Sequence, residues 1–233
     1  MSRPLIRVFL TLGAILIGGG AAAGDAAHPT VVELFQSQGC SSCPPADANV
    51  SAISGRPDIL ALSFSVTYWD QLGWKDTFAT DAYTARQWAY AKGLRHDNVF
   101  TPQVVINGRR DGVGADPAEL RGLIAAGDRG DGGPAVAIKP GVVAIAAGAA
   151  PAKGADIWLV RYDPRIIEVA IKRGENGGKT LPHRDIVRQL ARLGRWTGAM
   201  VTLALPPSSD PALRTAVLVQ APNGGPILAA ARL

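Results

Sequence analysis

Two cysteines separated by two serines constrain this chain more than any other feature of its sequence. Cys40 and Cys43 are the only cysteines among its 233 residues. They follow a β-branched and apolar run at residues 30–35 and precede Pro44-Pro45-Ala46-Asp47. Proline fits the first turn of a helix, and an acidic side chain suits the positive end of the helix dipole, so a helix is expected after the cysteines. The order strand, loop, helix therefore places a Cys-x-x-Cys pair at the amino end of a helix.

Such a pair can serve as a structural staple or as a redox couple. A staple that closes so small a ring contributes only about 2 kcal/mol of loop-closure entropy. A helix N-terminus, in contrast, stabilises a thiolate and lowers the pKa of its thiol. We therefore predict a redox couple in which Cys40, exposed on the loop, attacks and Cys43 resolves. Because Pro44 and Pro45 disfavour helical geometry in the residues before them, we also expect a delayed helix start.

The first 27 residues have the features of a signal peptide followed by a short leader. Arg3 and Arg7 supply a positive start, residues 8–17 are apolar, and residues 21–23 form a small-residue cleavage site. An uncleaved anchor is the alternative, but this apolar run is shorter than the roughly 20 residues that span a bilayer. We expect a periplasmic or secreted protein without a stable membrane span after cleavage, in a compartment where a disulfide is the default state.

Residues 28–132 alternate strand and helix patterns. The expected strands cover residues 30–35, 59–66, 103–106 and 110–113, and the helices begin at Pro44, near Ala79 and at Pro117. Asn107-Gly108 is a strong hairpin signal between the third and fourth strands. This part of the chain is therefore predicted to be an α/β domain.

Residues 133–233 have a different pattern. Residues 127–134 have the composition of a flexible linker, which places a domain boundary there. Short strands separated by turns are expected at residues 135–139, 142–146, 157–162, 166–171, 200–205, 216–220 and 227–231. Residues 186–193 fit both periodicities, and we assign them to a strand. These features predict a β-rich, sandwich-like domain.

Thr101-Pro102 precedes the third strand. A bond to proline is the one place where a cis peptide costs little, and a proline in front of a strand marks its beginning. In thioredoxin-like proteins a cis-proline at this place faces the Cys-x-x-Cys pair and binds extended substrate backbone. We predict that Thr101 and Pro102 bind substrate, together with Trp69 and Asp70 of the aromatic segment that follows the second strand. The alternative for Trp69 is a place in the core.

Charge and ligand spacing exclude other classes of function. The formal net charge is only +5, and the Lys and Arg residues are scattered, so no nucleic-acid partner is expected. The three histidines show no metal-ligand spacing relative to the cysteines, so neither a metal nor another cofactor is predicted. Copper(I) held by the two thiolates remains an alternative, although no methionine lies near the pair.

The chain resembles the family called domain of unknown function 1223 (DUF1223), whose members are secreted proteins of the thioredoxin-like superfamily. The stretches that carry the resemblance are Val32-Glu33-Leu34-Phe35, the run from Gly39 to Pro45, Tyr68-Trp69-Asp70 with Leu72-Gly73-Trp74, Thr101-Pro102-Gln103, Asn107-Gly108, and Glu175-Asn176 with Leu181. The chain departs from the family pattern at Ser65 and Thr67, where we expect His and Asp. The resemblance implies a thioredoxin-like N-terminal domain, but the family name implies no activity.

Together these features predict a periplasmic or secreted thiol-disulfide oxidoreductase. Its catalytic residues would be Cys40 and Cys43, and its substrate a protein or a small-molecule thiol or disulfide. The alternative is a non-catalytic thioredoxin-fold module for binding or assembly in the cell envelope, because half of the chain consists of strands without evident chemistry.

Overall fold

The computed structural model describes residues 25–233, so the predicted signal peptide lies outside the described residues. The helices of this part are α1 (Pro44–Ile53), α2 (Asp81–Leu94) and α3 (Pro117–Ala126), with one short 3₁₀ turn at Asp70–Leu72. The strands are β1 (Thr30–Gln36), β2 (Ile59–Ser65), β3 (Gln103–Ile106), β4 (Arg110–Gly112), β5 (Val136–Lys139), β6 (Val142–Ile145), β7 (Ala155–Asp163), β8 (Ile167–Ala170), β9 (Thr180–His183), β10 (Ile186–Trp196), β11 (Val201–Ala204), β12 (Arg214–Gln220) and β13 (Ile227–Arg232). None of the helices in residues 25–233 has the length and apolar character needed to cross a bilayer.

One eight-stranded sheet organises the molecule, in the order β13-β12-β7-β10-β2-β1-β3-β4. Strand β1 lies parallel to β2 and antiparallel to β3. Every residue of β1 and β2 is buried, as expected for near-continuous apolar strands that are covered on both faces. One face packs on α1 and α3 through Val50 and Leu120, and the other packs on α2 through Tyr83 and Tyr90. The carboxyl end of β1, which leads to the cysteines, is therefore held on a rigid element.

The sheet is continuous across the boundary predicted between residues 132 and 133. Ile186 of β10 pairs with Ser63 of β2, which joins the strands of the two parts of the chain. A second sheet, β11-β6-β5, packs over the C-terminal strands around the fully buried Trp196. Two packed sheets were expected for this region, but the larger one also includes β1 to β4. The division into residues 28–132 and 133–233 stays a prediction.

Two local expectations were wrong. Helix α1 starts at Pro44 without delay, and Cys43 already has helical φ and ψ angles of −75° and −34°. The prolines occupy the first turn, where a missing N–H has no intrahelical acceptor to lose. The segment at residues 127–134, which was expected to be a flexible linker, is held against the rest of the protein, because Arg129 is buried and donates to the Pro29 carbonyl. Gly133, at a φ of 106°, lies so close to the Leu228 carbonyl that a Cβ would clash with it.

The strand assignment at residues 186–193 is confirmed by β10, which pairs with β7 along most of its length. Strand β9 was not predicted. It contains Pro182 and is only four residues long, and it pairs with β8 alone. The β8–β9 connection, residues 171–179, lies against the cysteine loop.

Candidate functional site: the disulfide loop

Cys40 and Cys43 form a disulfide between the end of β1 and the start of α1, with their Cα atoms 5.5 Å apart. Cys43 is the N-cap residue of α1. Both cysteines are buried, with exposures of 0% and 2%, whereas Ser41 and Ser42 between them are exposed. The expectation that Cys40 lies exposed at the loop tip is therefore wrong for the disulfide form.

The segment before Cys40 is fixed by Gln38, a fully buried residue that the sequence did not single out. The Gln38 N–H donates to Asp76 Oδ2 at 2.7 Å, and its Oε1 accepts from Trp74 Nε1 at 2.9 Å and from the Thr77 N–H at 3.2 Å. Burial raises the pKa of the Asp76 carboxyl, although its hydrogen bonds from the Gln38 and Phe78 N–H groups oppose this rise. The aromatic segment after β2 thus positions the loop through backbone and amide contacts.

Two residues from the β8–β9 connection cover the disulfide. Asn176 is fully buried, and its Nδ2 donates to the Gln38 carbonyl at 3.0 Å and to the Cys40 carbonyl at 2.9 Å. Glu175 accepts from the Ser41 hydroxyl at 2.7 Å and from the Ser41 N–H at 3.1 Å. These bonds lower the pKa of the Glu175 carboxyl. The predicted C-terminal part of the chain thereby forms one wall of the site.

The predicted substrate-binding residues lie at the neighbouring strand end. The Thr101-Pro102 bond is cis, and Pro102 directly precedes β3, whose Gln103 pairs with Phe35 of β1. Trp69 Nε1 donates to Thr101 Oγ1 at 2.8 Å, and a Cβ on Gly39 would lie 3.4 Å from Trp69 Cβ. Trp69 therefore joins the cis-proline segment to the cysteine loop.

Asp70 lies in the 3₁₀ turn after Trp69. Its Oδ1 accepts from the Asp76 N–H at 3.0 Å, so it closes the turn that carries Asp76. Of the four predicted binding residues, the structure brings Trp69 and Thr101 into direct contact and uses Asp70 to shape the loop.

A cavity of about 520 Å³ lies beside the first turn of α1, between this helix and β9. Cys43, Asp47 and His183 are among its lining residues, whereas Cys40, Trp69 and Thr101 are not. His183 Nδ1 lies 2.8 Å from Asp47 Oδ2, and both side chains are buried. The His183 Nε2 atom is buried and has no hydrogen-bond partner among the described residues. The sequence did not connect Asp47 with His183, which is 136 residues away.

Within residues 25–233, no group of three or more His, Cys, Asp or Glu side chains is arranged to hold a metal ion.

The fold and the site define a mixed α/β protein with a buried disulfide at a strand-to-helix junction. The model of DUF1223, a protein family of unknown function, matches residues 31–220, and the chain belongs to this family. A protein from Agrobacterium tumefaciens with an X-ray crystal structure is 31% identical to the chain, with a TM-score of 0.72, and the match covers 91% of this chain and 96% of that one. No curated protein matches the chain. The predicted family is thus confirmed.

Proposed function

We propose that this protein is an exported thiol-disulfide oxidoreductase that uses Cys40 and Cys43 as its redox pair. The observation that carries the proposal is the Cys40–Cys43 disulfide at the N-terminus of α1. A thiolate formed at this helix end gains from the field of the helix, which is how Cys-x-x-Cys pairs acquire reactive thiols. The predicted signal peptide supports a periplasmic or secreted location, where such pairs act on other thiols and disulfides.

The arrangement of the first four strands also supports the proposal. Strand β2 is parallel to β1, β3 is antiparallel to β1, and β4 is antiparallel to β3, with α1 and α3 on one face. This is the pattern expected of a thioredoxin-like domain. The cis Thr101-Pro102 bond at the start of β3 stands at the position of the cis-proline of such a domain, and Trp69 donates a hydrogen bond to Thr101.

A redox titration tests this function. The mature protein is equilibrated with mixtures of reduced and oxidised glutathione, and free thiols are counted by alkylation and mass spectrometry. We expect a two-electron transition between the dithiol and disulfide forms, and transfer of the disulfide to or from a model peptide. The double variant Cys40→Ser, Cys43→Ser should show neither. A wild-type protein whose thiol count stays constant across the whole series would exclude the proposal.

One observation favours a second candidate function, a non-catalytic binding or assembly module of the cell envelope. Both cysteine residues are no more than 2% exposed, and the loop is held by Glu175 and Asn176, which is also what a structural staple would require. For this candidate, the double serine variant would retain full biological activity. Loss of activity with retained folding would instead assign the function to the cysteines.

A further inference from the structure

A cavity of the size of a ligand site lies beside Cys43, at the start of α1. Its volume of about 520 Å³ falls within the range that binds small molecules. Its walls come from α1, the Ile166 region and β9. Cys43 lines this cavity and Cys40 does not. A molecule in the cavity would therefore contact Cys43 and not Cys40.

The surroundings of Cys40 are closed instead. Cys40 is fully buried, and its carbonyl accepts a hydrogen bond from Asn176, itself fully buried. The next residue, Ser41, is held by two hydrogen bonds to Glu175. The Cys40 Sγ atom itself lies 3.3 Å from the hydroxyl of exposed Ser42. The cavity lining includes Cys43 and not Cys40.

The cavity walls indicate what kind of molecule fits. Ile166, Leu181 and Pro182 present apolar surface, and Ile166 is 59% exposed although it is a large hydrophobic residue. The buried His183 Nε2 lacks a hydrogen-bond partner among residues 25–233. A buried polar atom without a hydrogen bond lowers the stability of the fold unless another group pairs with it. A largely apolar molecule with one hydrogen-bonding group matches both features.

We propose that the substrate is a small, largely apolar disulfide or thiol that enters this cavity and exchanges with Cys43, while Cys40 acts as the second, resolving cysteine. This inference rests on the proposed oxidoreductase function and assigns the two cysteines the reverse of the order expected from the sequence. The substrate supplies the hydrogen-bonding partner that His183 lacks.

The exchange balances without a further reactant. In the reduced protein, the Cys43 thiolate attacks one sulfur of the substrate disulfide, a Cys43–substrate bond forms, and the other half leaves as a thiolate. The Cys40 thiolate then attacks Cys43 Sγ, restores the Cys40–Cys43 bond and releases the second half as a thiolate. Two electrons pass from the cysteine pair to the substrate, and the two thiol protons reach the released thiolates through solvent. The reverse sequence oxidises two substrate thiols.

Single-cysteine variants test the order. Cys40→Ser and Cys43→Ser proteins are reduced and mixed with dithiodipyridine, an apolar aromatic disulfide, and release of the pyridinethione is followed over time. We expect the Cys40→Ser protein, which retains Cys43, to react at least about tenfold faster than Cys43→Ser because access controls the rate. In reduced wild-type protein, a short pulse of N-ethylmaleimide followed by peptide mapping should modify Cys43 first, and this measurement does not depend on either variant folding.

A cavity variant adds a matched control. Ala52 is an exposed residue of α1 that lines the cavity, so Ala52→Leu fills space there and keeps a good helix former. It should slow labelling of Cys43, whereas Ala125→Leu, at an exposed position of α3 outside the cavity lining, should not. Earlier modification of Cys40, an unchanged rate in Ala52→Leu, or no labelling of either cysteine would overturn the inference. If glutathione titration succeeds but Cys40 reacts first, the proposed function stands and only this inference falls.

Discussion

At the scale of single residues, the cysteine loop is held mainly by groups that are distant in sequence. Gln38 is bound by Asp76, Trp74 and Thr77, and Asn176 binds the carbonyls on both sides of Gly39. Buried backbone carbonyls need such partners, because an unpaired polar group in the interior is costly. The loop conformation therefore depends on a few side chains more than on its own sequence.

Replacement of Asn176 should measure this dependence. Asn176→Ala removes two buried hydrogen bonds and leaves the Gln38 and Cys40 carbonyls without that donor, so we expect the free energy of unfolding to fall by about 2 kcal/mol or more. Urea denaturation of the oxidised protein gives the value. Glu175→Ala, at the exposed neighbouring position, is the matched control and should cost clearly less. Equal losses in the two variants would contradict the role assigned to Asn176.

Asp185 should make stability depend on pH. Burial raises the pKa of its carboxyl from 3.8 to about 6. Because the folded state then holds the proton more tightly than the unfolded state, stability falls as the pH rises from about 4 to about 6. Asp185→Asn removes this penalty and tolerates the positive φ of 52° at this position. We expect a gain of about 1 to 3 kcal/mol at pH 7 that disappears near pH 4.

Urea unfolding of wild type and Asp185→Asn at several pH values checks this prediction. Asp163→Asn provides a comparison of opposite sign, because Arg165 lowers the pKa of the Asp163 carboxyl and so stabilises the protein at neutral pH. That variant should lose stability at pH 7. A gain in Asp185→Asn that is the same at every pH would show that the cause is not ionisation.

The residues at the site divide into those that local patterns reveal and those that they do not. Cys40, Cys43 and the cis-proline follow from spacing and from position relative to a strand or helix. Asn176 and the Asp47–His183 pair depend on contacts that join residues 136 apart, and no local periodicity encodes such a contact. Glu175 and Asn176 were named only because they carry the family resemblance, and no structural role was predicted for them.

At the scale of elements, a buried ion pair joins β1, α2 and β12. Arg86 of α2 donates to Glu33 of β1 at 2.7 and 3.1 Å, and Tyr90 also donates to Glu33. Gln220 of β12 donates to the Tyr90 hydroxyl at 3.1 Å. Arg86 also lies over the rings of neighbouring aromatic residues, 5.1 Å from the Tyr90 ring centre. The ion pair thus fixes α2 on the centre of the sheet.

A double-mutant cycle should detect this coupling. Arg86→Met leaves Glu33 buried without its charged partner and should cost about 3 to 5 kcal/mol, and Glu33→Gln should be similarly harmful. The double variant should lose much less than the sum, because no uncompensated charge remains. Arg192→Met, which breaks the more exposed pair with Asp156, is the control and should cost less than about 1 kcal/mol. Additive losses would contradict a coupled pair.

Element types were more predictable than their pairing. The apolar runs of β1 and β2 and the Asp116-Pro117 start of α3 identify those elements, and the Asp116 side chain accepts from the Ala118 N–H as an N-cap should. Strand β9 was not predicted because Pro182 interrupts the residue pattern that is typical of a strand. The pairing of β10 with β2 was not predicted because the register between these strands depends on side chains from both parts of the chain.

At the scale of the whole molecule, the two predicted parts share one core. Leu62 and Phe64 of β2 pack in the same apolar cluster as Tyr162, Val187 and Leu218 from the C-terminal part. A chain that ends at residue 132 would expose this surface and leave β2 as an unpaired edge, which favours aggregation.

We therefore expect residues 25–233 to unfold in one cooperative transition and the fragment 25–132 to lack one. Thermal unfolding followed by near- and far-ultraviolet circular dichroism provides the comparison, since the two signals should change together in the longer chain. A fragment that melts cooperatively by itself would establish that the N-terminal part is an independent domain.

The position of Asn176 also sets an order of events during folding. The Cys40 carbonyl and its Asn176 donor are 136 residues apart, so the cysteines leave the ribosome well before their cover does. During that interval the thiols are open to any oxidant in solution. After β8 and β9 have paired, Cys40 is enclosed. Early oxidation therefore needs no opening of the fold, whereas every later reaction at Cys40 does.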